Sequence, residues 1–359
     1  TEVKTTIEQV RGEIRSELAD YLAGQRSYLT AIASELVPVC DARDEFLLDG
    51  GKRLRPLFAY AGLLASGATP TKEIVRAISS LELLQACALI HDDLMDRSDT
   101  RRGKPAIHRH FENLHQSSAM NGLATQFGEA AAVLLGDLAL VWSDQMLISS
   151  GISTPSLLAA HRIHDEMRVE LMAGQYLDVY EQTRGTHTVA RALTIARYKS
   201  AKYTIERPLH FGAALAITDP SKRVGLESQY SDYGLSLGEA FQLRDDLLGV
   251  FGDPELTGKP AGDDLREGKR TVLIAMTQER IPADAQREFE LLFGDPELSL
   301  NGVEKLRTII NDSGAPTHLE ELIDELTGKS LSALVGGDIT DEARNLLTAL
   351  AVAATKRSV

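Results

Sequence analysis

The sequence has little cysteine and no long uninterrupted hydrophobic run. Cys40 and Cys87 are the only cysteines among 359 residues, which excludes a disulfide framework and a cysteine-rich metal site and favours a reducing cytoplasm. The most apolar stretch, "AAAVLLGDLALVW", is interrupted by Asp137 and is too short to span a bilayer. The first residues show no apolar secretion signal. We therefore expect a cytoplasmic protein with no transmembrane segment.

Positive charge is also scarce. The net charge of -14 at pH 7 would repel nucleic acids and anionic membrane surfaces, so no nucleic-acid partner is expected. An anionic substrate would need a local basic patch or a bound cation. The sequence lacks a Walker A loop, because the glycine spacing before Gly258 and Lys259 is wrong and no Ser or Thr follows the lysine. Nucleoside triphosphate chemistry is thereby disfavoured, and no G-x-S-x-G or H-E-x-x-H motif is present.

Helical periodicity dominates the chain. Apolar residues recur at intervals of three and four, and strict alternation is rare, so an all-α fold is predicted. Helices are expected over residues 3–36, 53–67, 71–96, 127–150, 154–184, 189–217, 222–252, 269–279, 284–294, 302–313, 317–333 and 340–355. Residues 112–126 and 251–270 are predicted to be loops. No linker or solenoid repeat interrupts the pattern, so residues 1–359 are expected to form a single domain.

One predicted helix ends its apolar face in aspartates. The stripe through Leu84 and Ala88 continues, in steps of three or four, onto Asp92 and Asp96. Asp93 is one step round and can turn toward the same cavity. A single motif of this kind is more often a solvated helix end than a metal site.

A second helix repeats the pattern, with Leu235, Gly238 and Gln242 on the face that reaches Asp245 and Asp246. If five carboxylates met across one cavity at ~8 Å, each pair would repel by ~2 kcal/mol at an effective dielectric near 20. Oxygen ligands of this type suit Mg²⁺, which is usually completed by substrate phosphates. The two helices together therefore predict a phosphate-bearing substrate bound through magnesium.

Basic residues accompany the acidic motifs. The segment "DGGKRLRP" places Lys52, Arg53 and Arg55 after two glycines at a predicted helix start, where N–H groups and guanidinium charges favour a phosphate. Arg101 and Arg102 follow the first aspartate cluster. Further candidates, for each of which a solvated surface position is the simpler reading, are Lys199, Lys202, Lys259 and Lys269.

Taken together, the motifs resemble those of the trans-isoprenyl diphosphate synthases, or polyprenyl synthetases. The resemblance covers about residues 45 to 275 and includes "GGKRLRP", "LIHDDLMD" with "TRRGK", "GQYLD", "RYKSA" and "FQLRDDLLGVFGDPELTGKPAGDDLREGKRT". It implies an all-α isoprenoid synthase fold, with antiparallel helices around a central active-site cavity, and a homodimer. The implied reaction adds isopentenyl diphosphate to an allylic diphosphate, namely dimethylallyl, geranyl or farnesyl diphosphate.

The resemblance also implies residue roles. Three Mg²⁺ ions on the allylic diphosphate would be held by Asp92, Asp93, Asp96, Asp245 and Asp246, with Asp178 as an indirect participant. Positive charge at that diphosphate would come from Arg101, Lys199, Lys259 and Lys269. The isopentenyl diphosphate site would comprise Lys52, Arg55, Gln85 and Arg102. Gln242 would face the reacting allyl group.

One position departs from the family pattern. The second motif reads DDLLG, with Gly249 where many members have aspartate. We expect activity to survive because Asp245, the firmest ligand by resemblance, is present. Asp253 and Asp264 are close in sequence, and the sequence leaves open whether either substitutes. A non-catalytic regulatory subunit of a heteromeric synthase therefore stays an alternative, whereas a terpene cyclase is disfavoured by "GGKRLRP".

Product length is predicted from the residues one turn before Asp92. Members that stop at fifteen carbons commonly carry an aromatic residue there, but this chain has Cys87 and Ala88. The small side chains favour geranylgeranyl diphosphate, with twenty carbons, and longer polyprenyl chains stay open. Simple helix packing would explain the same two residues.

Overall fold

The structure is a computed structural model that describes residues 2–184, 187–257, 260, 262–337 and 339–356. It confirms the predicted all-α fold. The helices are α1 (Glu2–Ile32), α2 (Val37–Leu48), α3 (Leu54–Ala65), α4 (Lys72–Met95), α5 (Ile107–Ser117), α6 (Ala124–Ile148), α7 (Thr154–Gln182), α8 (Val189–Ala196), α9 (Arg207–Ala216), α10 (Pro220–Phe251), α11 (Pro254–Thr257), α12 (Asp263–Glu267), α13 (Val272–Gln278), α14 (Ala283–Leu292), α15 (Leu300–Asp312), α16 (Ala315–Ser332) and α17 (Asp341–Thr355). A 3₁₀ turn covers Ser34–Leu36, a π-helical segment covers Arg197–Glu206, and a hairpin pairs β1 (Thr100–Arg101) with β2 (Lys104–Pro105).

The chain divides into two compact units that are discontinuous in sequence. The first contains the chain up to Arg162 with Pro208–Arg223 and Thr340–Leu346, and the second contains Ile163–Arg207, Val224–Ile339 and the chain from Leu347 onward. The single domain over residues 1–359 stays a prediction.

The first unit is built on close packing of α4 against α6. Thr71 caps α4 by accepting a hydrogen bond from the N–H of Ile74 at 3.3 Å. At Gly136 of α6, an added Cβ would lie 2.1 Å from Nε2 of His91, so the imidazole ring of α4 occupies the space that a larger residue would need. The same unit packs α3 on α9, where a Cβ at Gly212 would lie 1.9 Å from the carbonyl oxygen of Ala59.

Helices α4 and α6 are both long and apolar enough to cross a membrane by length and composition alone. The run "AAAVLLGDLALVW", which is too short by itself to span a bilayer, is therefore part of a longer helix, α6. The most apolar window is 67% buried in α4 and 44% buried in α6. Core helices of soluble proteins pass the same test, so these two helices are weak evidence for a membrane span.

The second unit has a core formed by α10, α12, α13, α14, α15 and α16. Its buried side chains include Leu243, Leu247, Leu265, Leu273, Phe289, Leu306, Ile310, Leu319 and Ile323. Arg244 ties α10 to two other helices, because it donates to the carboxylate of Glu320 on α16 and, at 2.9 Å, to the carbonyl oxygen of Thr355 on α17.

Two sequence predictions of structure are wrong in part. Helix α2 was not predicted, because Arg43 interrupts the apolar pattern on its buried face; the guanidinium donates to the carbonyl oxygen of Leu22 at 2.9 Å and pairs with Asp44. Helix α5 covers part of the predicted loop 112–126, because its buried face is formed by two histidines, His108 and His115, around Phe111. Buried charged and imidazole side chains hide the helical periodicity in both cases.

Other differences are local. The predicted loop 251–270 contains the short helices α11 and α12, and the helix expected from residue 269 begins at Val272. The hairpin between residues 100 and 105 was not predicted, because each strand has only two residues. Its turn residues, Arg102 and Gly103, have φ values of 53° and 74°, as the turn of a tight hairpin requires.

Candidate active site

The first aspartate motif lies at the C-terminal end of α4. Asp92 and Asp93 belong to its last turn, and Asp96 is its C-cap residue. Asp92 and Asp96 are half-buried one turn apart, which places them on one face of the helix as the sequence predicted. Asp93 is only 1% exposed.

Asp93 is bound by Arg101 rather than by solvent. Its two carboxylate oxygens accept hydrogen bonds from Nε and Nη2 of Arg101, at 2.6 and 2.7 Å. This planar, bidentate pair fixes the arginine side chain in one orientation. Two residues that the sequence assigned to one diphosphate are thus in direct contact.

The hairpin also carries Arg102 to the glycine-rich loop before α3. An added Cβ at Gly51 would lie 3.3 Å from Nη2 of Arg102, and the guanidinium packs over the ring of Phe46 at 5.7 Å. Arg102 is exposed as a whole residue, but partial burial of its guanidinium lowers its pKa, and the negative charge of Glu82 opposes that shift. A small cavity lined by Phe46, Arg101 and Arg102, among other residues, adjoins the hairpin.

The three basic residues of "GGKRLRP" do not all have the predicted role. Arg53 has a φ of 52° and turns inward, where Nη1 donates to Oε2 of Glu82 at 2.6 Å and Nη2 donates to the carbonyl oxygen of Leu47. The prediction that Arg53 faces a phosphate is therefore wrong, because its guanidinium neutralises a buried glutamate. Lys52 is exposed and Arg55 is half-buried, so they stay the candidates for an anion, and Gln85 on α4 is also half-buried.

The second aspartate motif lies near the C-terminal end of α10, in the second unit. Asp246 is buried and accepts hydrogen bonds from Nε2 of Gln242 at 2.9 Å and from the N–H of Val272 at 3.2 Å. Burial, together with the negative charges of Asp264 and Asp245, raises the pKa of Asp246 to about 8, against the effect of the two hydrogen bonds. Asp246 thus anchors the first turn of α13, whereas Asp245 is half-buried.

The space beside Gly249 is filled by another carboxylate. An added Cβ at this position would lie 1.9 Å from Oδ2 of Asp264. Nζ of Lys269 is 3.6 Å from Oδ1 of Asp264 and 3.1 Å from the carboxylate of Glu267. The predicted diphosphate residue Lys269 is therefore held by two acidic groups of α12.

Lys199 lies in the π-helical segment and forms an ion pair with Asp178 of α7, with 2.6 Å between Nζ and Oδ2. The segment packs directly on α7, because an added Cβ at Gly174 would lie 2.5 Å from the backbone nitrogen of Lys199. Single π-turns occur often at functional sites. Lys202 pairs instead with Glu206, at 3.1 Å, and Lys259 lies outside the described residues.

The donor set fits magnesium, although none of the described side chains enclose an ion by themselves. Within the described ranges, no three histidine, cysteine or acidic groups converge closely enough to hold a metal. Mg²⁺ usually takes one or two carboxylates together with waters and substrate phosphates, so an enclosed cage is not required. The half-buried carboxylates of Asp92, Asp96 and Asp245 are oxygen donors of the required type.

Comparison with known proteins identifies the family. The sequence profile described as "Polyprenyl synthetase" matches residues 39–310. The chain belongs to the polyprenyl synthetase family. The predicted resemblance and the predicted class of enzyme, a trans-isoprenyl diphosphate synthase, are both confirmed, and the family implies isoprenyl diphosphate substrates and magnesium dependence.

Relatives of this polyprenyl synthetase differ in product. A geranylfarnesyl diphosphate synthase from Aeropyrum pernix is 32% identical over 275 residues, 76% of this chain and 79% of that protein. A (2E,6E)-farnesyl diphosphate synthase from Mycobacterium tuberculosis is 35% identical over 227 residues, 63% of this chain and 56% of that protein. A crystal structure of geranylgeranyl pyrophosphate synthase from Corynebacterium glutamicum, complexed with isoprenyl diphosphate and magnesium, is 40% identical with a TM-score of 0.92, covering 98% of this chain and 99% of the other.

Proposed function

We propose that this polyprenyl synthetase makes geranylgeranyl diphosphate by adding isopentenyl diphosphate to a shorter allylic diphosphate. The observation that carries the chain length is the pair of small residues one turn before Asp92, of which Cys87 is buried and Ala88 is half-buried. The geranylgeranyl pyrophosphate synthase of C. glutamicum, similar over almost its whole length, supports the same product. Longer polyprenyl products stay the alternative.

The allylic diphosphate ionises first in the proposed reaction. Its carbon–oxygen bond breaks, and the diphosphate leaves with the electron pair. We assign three Mg²⁺ ions, which when bound stabilise the negative charge of the departing group, to Asp92, Asp93, Asp96, Asp245 and Asp246. Fixed positive charge comes from Arg101, which Asp93 orients, and from Lys199, which Asp178 orients. Lys269 adds a third cation. Lys259 is included on the resemblance alone.

Isopentenyl diphosphate supplies the carbon atom that is joined to the allylic cation. We assign its diphosphate to Lys52, Arg55, Gln85 and Arg102. The electron pair of its double bond forms the new carbon–carbon bond to the allylic cation. This leaves a positive charge on the other carbon of the former double bond. A diphosphate oxygen then takes a proton from the carbon next to that charge, and the loss of the proton regenerates a double bond. Gln242, oriented by its hydrogen bond to Asp246, is assigned to the reacting allyl group, and apolar surroundings keep water from the cation.

A homodimer in a reducing, cytoplasmic setting is part of the proposal. The exposed face of α6 carries large apolar side chains: Leu134 at 63% exposure, Val133 beside it in sequence, Val141 about two turns away and Ile148 about four turns away. Exposed apolar surface of this kind is typical of an interface between subunits. The reducing setting is supported by Cys40 and Cys87, which are both free and buried.

The proposal is tested by incubating the purified protein with labelled isopentenyl diphosphate, Mg²⁺ and, separately, dimethylallyl, geranyl or farnesyl diphosphate. The dephosphorylated products are then sized. We expect a product of twenty carbons from at least one starter. Products longer than twenty carbons would support the alternative, and a lack of incorporation with every starter would favour a regulatory subunit.

A further inference from the structure

We propose that Asp264 supplies the third carboxylate of the second aspartate motif and that Gly249 is present to admit it. The inference rests on the proposed function, because it names a further residue for the same magnesium-bound diphosphate. It concerns only the second unit, in which Gly249 belongs to α10 and Asp264 to α12.

The carboxylate of Asp264 fills the space that a side chain at position 249 would take. A Cβ built on Gly249 would lie 1.9, 2.5 and 3.1 Å from Oδ2, Cγ and Oδ1 of Asp264, so the whole carboxylate group occupies the place of the missing side chain. Any side chain at position 249 would have to displace it. The carboxylate that the motif lacks on α10 is therefore provided, in the same space, by α12.

The backbone of α10 does not explain a glycine at position 249. Gly249 has helical backbone geometry and does not belong to the glycines with positive φ, so its backbone does not require glycine. Glycine weakens a helix relative to alanine because it loses more conformational freedom on folding. The close approach of Asp264 gives a physical reason for the residue.

The carboxylate of Asp264 contacts both Gly249 and a cation. Its Oδ2 fills the space beside Gly249, and its Oδ1 is 3.6 Å from Nζ of Lys269. The ammonium group compensates part of the charge of Asp264 and brings a cation to the same place.

The position of α12 is fixed by its ends. Gly262 and Gly268, the residues that flank the helix, have φ values of 68° and 67°. An added Cβ at Gly262 would lie 2.6 Å from Cγ1 of Val303, so the start of α12 packs tightly on α15. The N–H of Lys269 donates to the carbonyl oxygen of Asp264 at 3.0 Å and closes the other end. These contacts hold the Asp264 side chain against Gly249.

The test measures binding of inorganic diphosphate to the full chain by calorimetry across a series of Mg²⁺ concentrations, which requires no turnover. Asp264→Asn keeps the size of the side chain and removes its charge; we expect it to raise the Mg²⁺ concentration needed for binding by about tenfold or more. Asp253→Asn is the matched control, because Asp253 is exposed and caps α11 through the N–H of Glu255, a role that asparagine retains. We expect this control to bind as the wild type does.

A carboxylate exchange makes the test specific. Gly249→Asp alone should weaken binding, because the new side chain meets Asp264. Combined with Asp264→Gly, it should restore the Mg²⁺ dependence toward that of the wild type. Unchanged Mg²⁺ dependence in Asp264→Asn, or a double variant no better than Asp264→Gly alone, would overturn the inference while leaving the proposed function intact. If the wild type itself binds no diphosphate with Mg²⁺, the proposed function and this inference both fail.

Discussion

Arg101 donates two parallel hydrogen bonds to the carboxylate of Asp93, at 2.6 and 2.7 Å, where the chain leaves α4 and enters the hairpin. The contact connects the aspartate motif to the arginine pair that follows it. This explains why opposite charges are close together in the sequence at the end of a buried helix. Asp93 compensates the charge of Arg101 and sets the direction of its side chain.

Removing the charge of Asp93 should destabilise the protein. Asp93→Asn removes the charge of a buried carboxylate that the half-buried Arg101 holds through two hydrogen bonds, and we expect a loss of about 3 kcal/mol in the free energy of unfolding. Urea denaturation measures it. The matched control is Asp99→Asn, which breaks the exposed ion pair to Arg109 and should cost less than about 1 kcal/mol. Equal losses in the two variants would contradict the structural role of Asp93.

Gly174→Ala should impair catalysis through Lys199. The added Cβ would lie 2.5 Å from the backbone nitrogen of Lys199, so the π-helical segment must move. We expect a loss of about 1–3 kcal/mol in stability from overpacking, and a kcat at least about tenfold lower because the lysine is displaced. Steady-state kinetics and thermal unfolding measure the two effects.

The control for this variant is Gly225→Ala, on α10 in the same unit, where no atom lies within 4 Å of the added Cβ. Alanine should there leave kcat unchanged and slightly stabilise the helix. An unchanged kcat in Gly174→Ala as well would show that the close contact does not position Lys199.

The elements that the sequence predicts well are those whose apolar stripe is continuous. Helices α4 and α10 were expected with nearly their observed ends, and both aspartate motifs lie where the stripe ends, as periodicity requires. The contact between Arg101 and Asp93 was not predicted, although its members are only eight positions apart in the sequence.

The remaining site features depend on contacts that the sequence does not display. Arg53 turns away from the candidate anion site because its partner, Glu82, is 29 residues further along the chain. Gly249 appeared to be a missing ligand, since nothing in the local sequence indicates that Asp264 occupies its side-chain space. Spacing identifies charged residues, but three-dimensional packing decides which charge meets which.

The stability of the first unit should depend on pH through His108. Its imidazole is buried, and Nδ1 has no hydrogen-bond partner among the described residues. Burial and the positive charge of Arg109 lower the pKa of His108, and the weaker effects of Asp93 and other acidic groups oppose this shift. The folded state therefore binds fewer protons than the unfolded state just below pH 6.5, so stability falls as pH drops from 6.5 toward the lower folded pKa. Stability from this group is fully present above pH 6.5.

His108→Gln should remove this dependence. We expect the free energy of unfolding of the wild type to fall more than that of the variant between pH 7 and pH 5, measured by urea denaturation. His318→Gln, at an exposed histidine of α16, is the control and should retain the dependence of the wild type. Parallel stability curves for wild type and His108→Gln would refute the role of His108.

Product length should respond to the residues before Asp92. Ala88 is half-buried, so Ala88→Phe can add an aromatic ring with little repacking, and we expect the main product to shorten from twenty to fifteen carbons. Cys87→Phe should also shorten the product, but it should destabilise the protein more because Cys87 is buried. Its Sγ is 3.8 Å from Nδ1 of His91, and His91 in turn packs on Gly136. Ala88→Ser, which hardly changes the side-chain volume, is the control and should retain the wild-type product. Sizing the dephosphorylated products of the three variants measures the effect; if both phenylalanine variants still make the wild-type length, these two positions do not limit the growing chain.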